Sequence, residues 1–281
     1  MLNTMPARPR LPRAATGLAL CVLVAVATIL ASVPAAAERG QVLSSSAAAV
    51  PDLRPLITPD DRSHSAPAAA AVASAPARPR VPGHLLVEIP RDMSITARPG
   101  GGAVVGRMPD GSRFYDVPVV AWVMEVSPNG RFGRVPVPYG GRDVTGWIDL
   151  RGLDRSTTRV TVRTDISDHR IVVERAGRVV ARIVAATGAP GSPTPPGRYF
   201  VTDRIPFHVG SVLGSFAFGI SGIQPNLPAG WNGGDQLAIH GTNSPGTIGT
   251  SASAGCLRVS EAALARLKPL LRLGTPVIIT P

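Results

Sequence analysis

The chain has 281 residues, of which 44% are hydrophobic and 17% charged, with 30 glycines, 29 prolines and a formal net charge of +11. A length prior of roughly 150 residues per domain gives one or two domains. The apolar content excludes a wholly disordered chain, and glycine and proline without a three-residue period exclude collagen. Two cysteines, Cys21 and Cys256, exclude a disulfide framework and a cysteine-rich metal scaffold.

In residues 1–37, Arg8, Arg10 and Arg13 precede the apolar run GLALCVLVAVATILASV, and Ala35, Ala36 and Ala37 follow it. A charged start, an apolar core and a small-residue cleavage site predict an export signal. The run is about 20 residues long, enough to span a bilayer, so an uncleaved membrane anchor is the alternative. Leu20 stands where a lipoprotein signal carries Gly or Ala, which leaves Cys21 inside the apolar core. Removal of the signal makes Cys256 the one thiol of the exported chain. Such a thiol is an intermolecular bridge, a buried bystander or a nucleophile.

Residues 38–80 are rich in Ala, Pro and Ser (SAPAAAAVASAPARPR) and too poor in large apolar groups to offset the entropy of ordering. They predict a disordered linker spanning roughly 35 to 40 Å. Across residues 81–155, short apolar runs (HLLVEI, VVGRM, VVAWVMEV, GWIDL) alternate with the turn signals PGGG, DGS and SPNG. This pattern predicts a small β barrel or sandwich. Its ITARP segment, DGS turn, Trp122 and Gly146-Trp147-Ile148 resemble the SH3-like modules of bacterial cell-wall enzymes. Trp122 and Trp147 are read there as core or rim residues.

Residues 156–281 open with TRVTVRT, HRIVVER and RVVARIVAAT, whose period-two alternation predicts half-buried strands. TGAPGSPTPPG is a loop by composition; RYFVTD and QLAIHG are further strands. One helix is expected, with Ser260 as N-cap, Glu261 in the first turn and Leu264, Leu267 and Leu271 on one face. Pro269 ends it near Lys268. Gly274 and Thr275 then turn into a last strand from Pro276 to Thr280. The fold class is therefore mostly β, in two folded domains.

Residues 238–260 carry the chemistry. His240 leaves a strand, a loop rich in Gly, Ser and Thr follows, and Cys256 arrives in the sequence Ser253-Ala254-Gly255-Cys256-Leu257-Arg258. Small neighbours let a substrate backbone approach, and they leave the Gly255 and Cys256 amides to serve as an oxyanion hole. A thiol of ordinary pKa is only a few per cent ionised at neutral pH, so His240 and the positive Arg258 are the groups that would activate it. The bland alternative is a buried hydrophobic Cys256 and a satisfied strand-end His240. All five histidines (His64, His84, His169, His208, His240) precede Cys256, which excludes sites whose base follows the nucleophile, as in papain-like and NlpC-type peptidases. No Gly-x-Ser-x-Gly elbow opens a helix. Without His-x-His or Cys-x-x-Cys spacing, neither a metal nor another cofactor is expected.

HGTN followed at a distance by S-x-G-C-L-R resembles the YkuD-type L,D-transpeptidases. So do TGAPGSPTPPGRYF before it and LGTPVII after it. The resemblance implies an L,D-transpeptidase-type β sandwich or barrel with one or two short helices. It also implies Cys256 as nucleophile, His240 as base, the Gly241 carbonyl as the group orienting the imidazole, and the Gly255 and Cys256 amides as oxyanion donors. Many members carry a second histidine where this chain has Ala254. The implied substrate is a peptidoglycan tetrapeptide stem. Attack on the carbonyl joining its third, diacid residue to the terminal D-Ala releases D-Ala and leaves a thioacyl-enzyme, which the side-chain amine of a second stem resolves to a 3-3 crosslink. D-amino-acid exchange, protein attachment and hydrolysis differ only in the acceptor. Carbapenem-type β-lactams are the implied covalent inhibitors.

Arg258 has two readings, a contact to a substrate carboxylate and a tie within the loop. Ser253, Thr242 and Asn243 are read either as site-shaping residues or as loop hydrogen-bonders. The charge divides as +3 over residues 1–37, +1 over 38–80, +1 over 81–155 and +6 over 156–281, so the excess lies with the predicted catalytic part. An acidic wall polymer suits it, whereas export and the lack of a basic-aromatic stripe exclude nucleic acid. The reading is an exported wall enzyme located in the cell wall or periplasmic space. A non-catalytic wall-binding protein and an L,D-carboxypeptidase using the same site are its alternatives.

Overall fold

Backbone pairing divides the described residues into two β-rich parts that share one seam. The computed structural model describes residues 82–141 and 143–281, so the predicted signal with Cys21 and the predicted linker with His64 lie outside the described residues. The first part holds β1 (His84–Glu88), β2 (Met93–Arg98), β3 (Gly101–Met108), β4 (Val120–Val123), β5 (Glu125–Val126), β6 (Phe132–Pro136), β7 (Thr145–Asp149) and β8 (Arg155–Thr158). β1 lies between β4 and β8, antiparallel to both, and the order β3-β2-β7-β6-β5 makes a second sheet. Their inward positions, among them Leu86, Ile95, Met108, Val135 and Ile148, form one core. Each such side chain contributes about 1.5–3 kcal/mol when fully buried. Trp122 is 6% exposed and belongs to this core, with the His84 ring edge-on to it at 5.8 Å between centroids.

β8 is a departure from the sequence-based boundary at Arg155. The segment RSTT carries no apolar period to assign it, and its hydrogen bonds to β1 extend the first part to Thr158.

The second part holds β9 (Val160–Asp165), β10 (Arg170–Arg175), β11 (Arg178–Val184), β12 (Thr187–Gly188), β13 (Gly197–Phe200), β14 (Ile205–Pro206), β15 (Phe216–Ile223), β16 (Gln236–His240), β17 (Ser251–Ser253), β18 (Leu257–Arg258), α1 (Glu261–Leu267) and β19 (Pro276–Thr280). A five-stranded sheet, β11-β10-β9-β19-β13, and a four-stranded sheet, β14-β15-β16-β18, enclose a core that includes Ile171, Phe218, Ile239, Leu257 and Leu264. Ser260 caps α1 by accepting the Ala263 N–H at 3.1 Å, and the helix stops at Lys268, before Pro269. β15 is nearly all buried, so its side chains lack the polar-apolar alternation that marks β10 and β11.

Several contacts lock the parts together. Phe200 of β13 is fully buried in the core of the first part. Asp143 pairs with Arg198 at 2.6 Å, and the guanidinium holds that carboxyl below the usual range. Arg113, in the loop after the predicted DGS turn, reaches Asp235 at 3.0 Å. That loop is thereby held against residues 231–235, which lead into β16.

Candidate active site

β16 and β18 are parallel neighbours, with Ile239 opposite Leu257 and His240 opposite Arg258. Side chains alternate across a strand. Ile239 and Leu257 therefore enter the core, at 0% and 1% exposure, while Ala238, His240 and Arg258 turn to the other face. Carried back one residue, this register sets Cys256 beside Ala238 and diagonal to His240. All four line one cavity of about 160 Å³. Its lining includes Phe207, Val212, Leu213, Trp231 and Gln236, and Phe114 and Tyr115 come from the first part. Phe114, Tyr115, Val212 and Trp231 are all exposed, so its mouth is apolar and aromatic. A shallower groove of about 370 Å³, lined by Ala189, Ser192 and Pro228, shares Trp231, Ala254 and Arg258 with it.

His240 is 4% exposed, and its Nδ1 lies 2.6 Å from the Gly241 carbonyl oxygen. A carbonyl only accepts, so Nδ1 carries the proton and Nε2 presents a lone pair. Burial lowers the imidazole pKa to about 4; the Gly241 contact opposes this and the Arg258 charge adds to it. Burial also raises the Cys256 thiol, against smaller opposing effects of a backbone contact to Ala238 and of Arg258. At neutral pH the pair is therefore a neutral thiol and a neutral imidazole, not an ion pair. Gly241 must be glycine for a packing reason: a Cβ there would sit 2.7 Å from both the Glu261 carboxylate and Gly214 Cα.

The Cys256 turn is built by Ser253, whose hydroxyl accepts the Gly255 N–H at 3.0 Å and donates to the Cys256 carbonyl at 2.6 Å. This corrects the expectation of two free amides. The Gly255 amide is already engaged by a hydroxyl two residues upstream, a local competition that composition does not reveal. Among the described residues no hydrogen bond engages the Cys256 amide. Thr194 anchors the turn from behind, donating to the Gly255 carbonyl and accepting the Gly188 N–H, each at 2.8 Å. Ser253→Ala is expected to lower stability by about 1–3 kcal/mol, because it leaves a buried donor and acceptor without partners. Urea unfolding measures this, and an unchanged midpoint would remove Ser253 from the turn's support.

Arg258 retains both readings: its Nη1 reaches the Ala252 carbonyl at a long 3.4 Å, and the side chain lines both openings. Thr242 and Asn243 lie apart from the cavity lining. Thr242 Oγ1 accepts the Ser244 N–H at 2.9 Å and Asn243 Oδ1 accepts the Ser244 hydroxyl at 3.2 Å, so they order their own loop. Sequence reasoning missed Gln224, Gln236 and Asp203, which also line the cavity. Asp203 had one legible signal, an acid closing the predicted strand RYFVTD.

The L,D-transpeptidase catalytic domain model, YkuD, matches residues 159–279. The YkuD protein of Bacillus licheniformis is 30% identical over 132 residues, covering 47% of this chain and 71% of that one. Among solved structures, a Mycobacterium smegmatis L,D-transpeptidase is 17% identical with a TM-score of 0.37, covering 69% of this chain and 99% of that one. A mutant Enterococcus faecium L,D-transpeptidase is 18% identical with a TM-score of 0.35; 43% of this chain matches 50% of that one, so the chain spans about half its length. Identity at this level over more than two thirds of the Bacillus relative, on a segment coinciding with the sheets that carry Cys256 and His240, is a family relationship: the chain belongs to the YkuD-type L,D-transpeptidase catalytic domain family.

Proposed function

We propose that the protein is an exported, cysteine-dependent L,D-transpeptidase that acts on peptidoglycan tetrapeptide stems in the cell wall or periplasmic space. The observation that carries the reading is the shared cavity of Cys256 and His240, with Nε2 left as the basic nitrogen by the Gly241 carbonyl. As Sγ attacks the carbonyl before the terminal D-Ala, Nε2 takes the thiol proton, and the Cys256 amide faces the developing oxyanion. The imidazolium returns the proton to the departing D-Ala amine, leaving a thioester. An amine of a second stem then attacks the thioester, gives its proton to Nε2 and releases the thiol with the new amide bond formed.

The neutral resting pair supports this order. A thiol whose pKa is raised by burial is a poor nucleophile until a base accepts its proton in the transition state. Two openings that meet at Ala254 and Arg258 give donor and acceptor separate approaches. Ala254 in place of a histidine keeps that junction open.

Incubation with imipenem is expected to add one drug mass, mapped by peptide fragmentation to the peptide containing Cys256. Tetrapeptide stems are expected to release D-Ala and yield 3-3 dimers. Absence of an adduct, or an adduct on another residue, would remove the acyl-enzyme reading; D-Ala release without dimers would make the enzyme a carboxypeptidase.

A further inference from the structure

The cavity holds a charged group that the chemistry above does not use. Asp203 is 1% exposed and lines the same cavity as Cys256. Its Oδ2 accepts the Thr202 hydroxyl at 2.7 Å and Gln236 Nε2 at 2.8 Å, whereas Oδ1 has no hydrogen-bond partner. Among the described residues no arginine or lysine pairs with it; the neighbouring Arg204 donates instead to the Lys268 carbonyl. A buried carboxylate oxygen without a partner is costly, and a cation is what relieves it. Phe114, Tyr115 and Trp231 on the walls add aromatic surface that also favours a cation. The carboxylate's field reaches the first part of the chain: burial raises the Tyr115 hydroxyl, and the Asp203 charge raises it further.

We propose that Asp203 binds the side-chain ammonium of the donor's third residue, the residue whose carbonyl becomes the thioester, and so selects donors that carry that amine. The inference rests on the acyl-enzyme reading above. Distance along the cavity identifies which amine is bound. Gln236 spans the two sites, since its backbone carbonyl lies 3.8 Å from Cys256 Sγ while its side-chain amide holds Asp203. Asp203 therefore stands about one glutamine side chain away from the nucleophile. A diamino acid carries its side-chain amine at a similar distance from its own carbonyl, one bond further. The acceptor amine cannot be the partner, because it must reach the thioester carbon itself and must be uncharged to attack.

The test uses two synthetic tetrapeptide donors. One has diaminopimelic acid at position three; the other has 2-aminopimelic acid, which lacks only the side-chain amine. Thioester formation is followed by intact mass, and kcat/KM is taken from D-Ala release. The wild-type chain is expected to prefer the amine-bearing donor by about 10- to 100-fold, the worth of one charge-assisted hydrogen bond. In Asp203→Asn, and in the smaller Asp203→Ser should the first not fold by circular dichroism, that ratio is expected to fall to near one. A wild-type ratio near one, or a ratio that survives in the folded variant because both donors slow equally, overturns the assignment and leaves Asp203 a structural acid. A wild-type chain that forms no thioester with either donor or with imipenem removes the acyl-enzyme reading instead.

Discussion

His240→Gln is expected to slow acylation of Cys256 by about 10²- to 10⁴-fold, the range for loss of a positioned general base. Glutamine cannot take a proton. The remaining route in the variant is attack by the small fraction of thiol that ionises unaided, so its rate should climb about tenfold per pH unit through neutrality. The wild-type profile should look different. Burial lowers His240 to about 4, and the base form is the active one. The rate therefore falls about tenfold per unit only below pH 4, is half-maximal near 4, and is flat from about 5 upward until the thiol ionises. Stopped-flow acylation by imipenem between pH 3 and 9 measures both profiles. An acid limb near 6.5 in the wild type, or a variant within threefold of it, would contradict the neutral-pair mechanism.

Gly255→Ala should be comparably damaging for a geometric reason. Gly255 has φ of +110°, and a Cβ there would fall 2.2 Å from Gln224 Nε2. Gln224 is 3% exposed and its Nε2 is held by the Ser192 and Pro193 carbonyls at 3.1 and 2.9 Å, so it has no easy exit. Strain of about 1–3 kcal/mol in the backbone adds to an overpacking cost of similar size. The least costly relief is rotation of the turn, which moves the Cys256 amide off the oxyanion position. Acylation is then expected to fall by about 10²- to 10³-fold, with a lowered Tm. Adding Gln224→Gly should recover part of the Tm, since residues in contact are not additive. A Gly255→Ala variant that reacts with imipenem as fast as its parent would show that the Cys256 amide is not held by this turn.

The two effects fall on opposite sides of what could be read in advance. The proposed pair of His240 and Cys256 is legible because its chemistry depends on residue type: one thiol beyond the apolar N-terminal run, one histidine ending a strand before a loop of small residues, and every histidine upstream of that thiol. The HGTN and S-x-G-C-L-R motifs stay recognisable for the same reason. Strands β10 and β11 are legible because one face is wet, which imposes a period of two. α1 is legible because its cap, its apolar face and its stopping proline are all local.

Tertiary structure decided what depends on partners distant in the chain. β15 shows no alternation because both faces are covered, and β8 is a strand only because β1 offers it hydrogen bonds. Gln224 clamps Gly255, and Phe114 and Tyr115 close the cavity across the seam between the two parts, contacts that no local pattern encodes. Thr242 and Asn243 show the converse. They sit beside the histidine in the motif, yet their polar side chains close on the Ser244 amide and hydroxyl instead of lining the cavity. The proposed nucleophile and base follow from the reactivity of single side chains, which any one sequence carries. The proton on Nδ1, the engaged Gly255 amide and the unpartnered oxygen of Asp203 follow from burial and hydrogen-bond geometry, which exist only once the chain has folded.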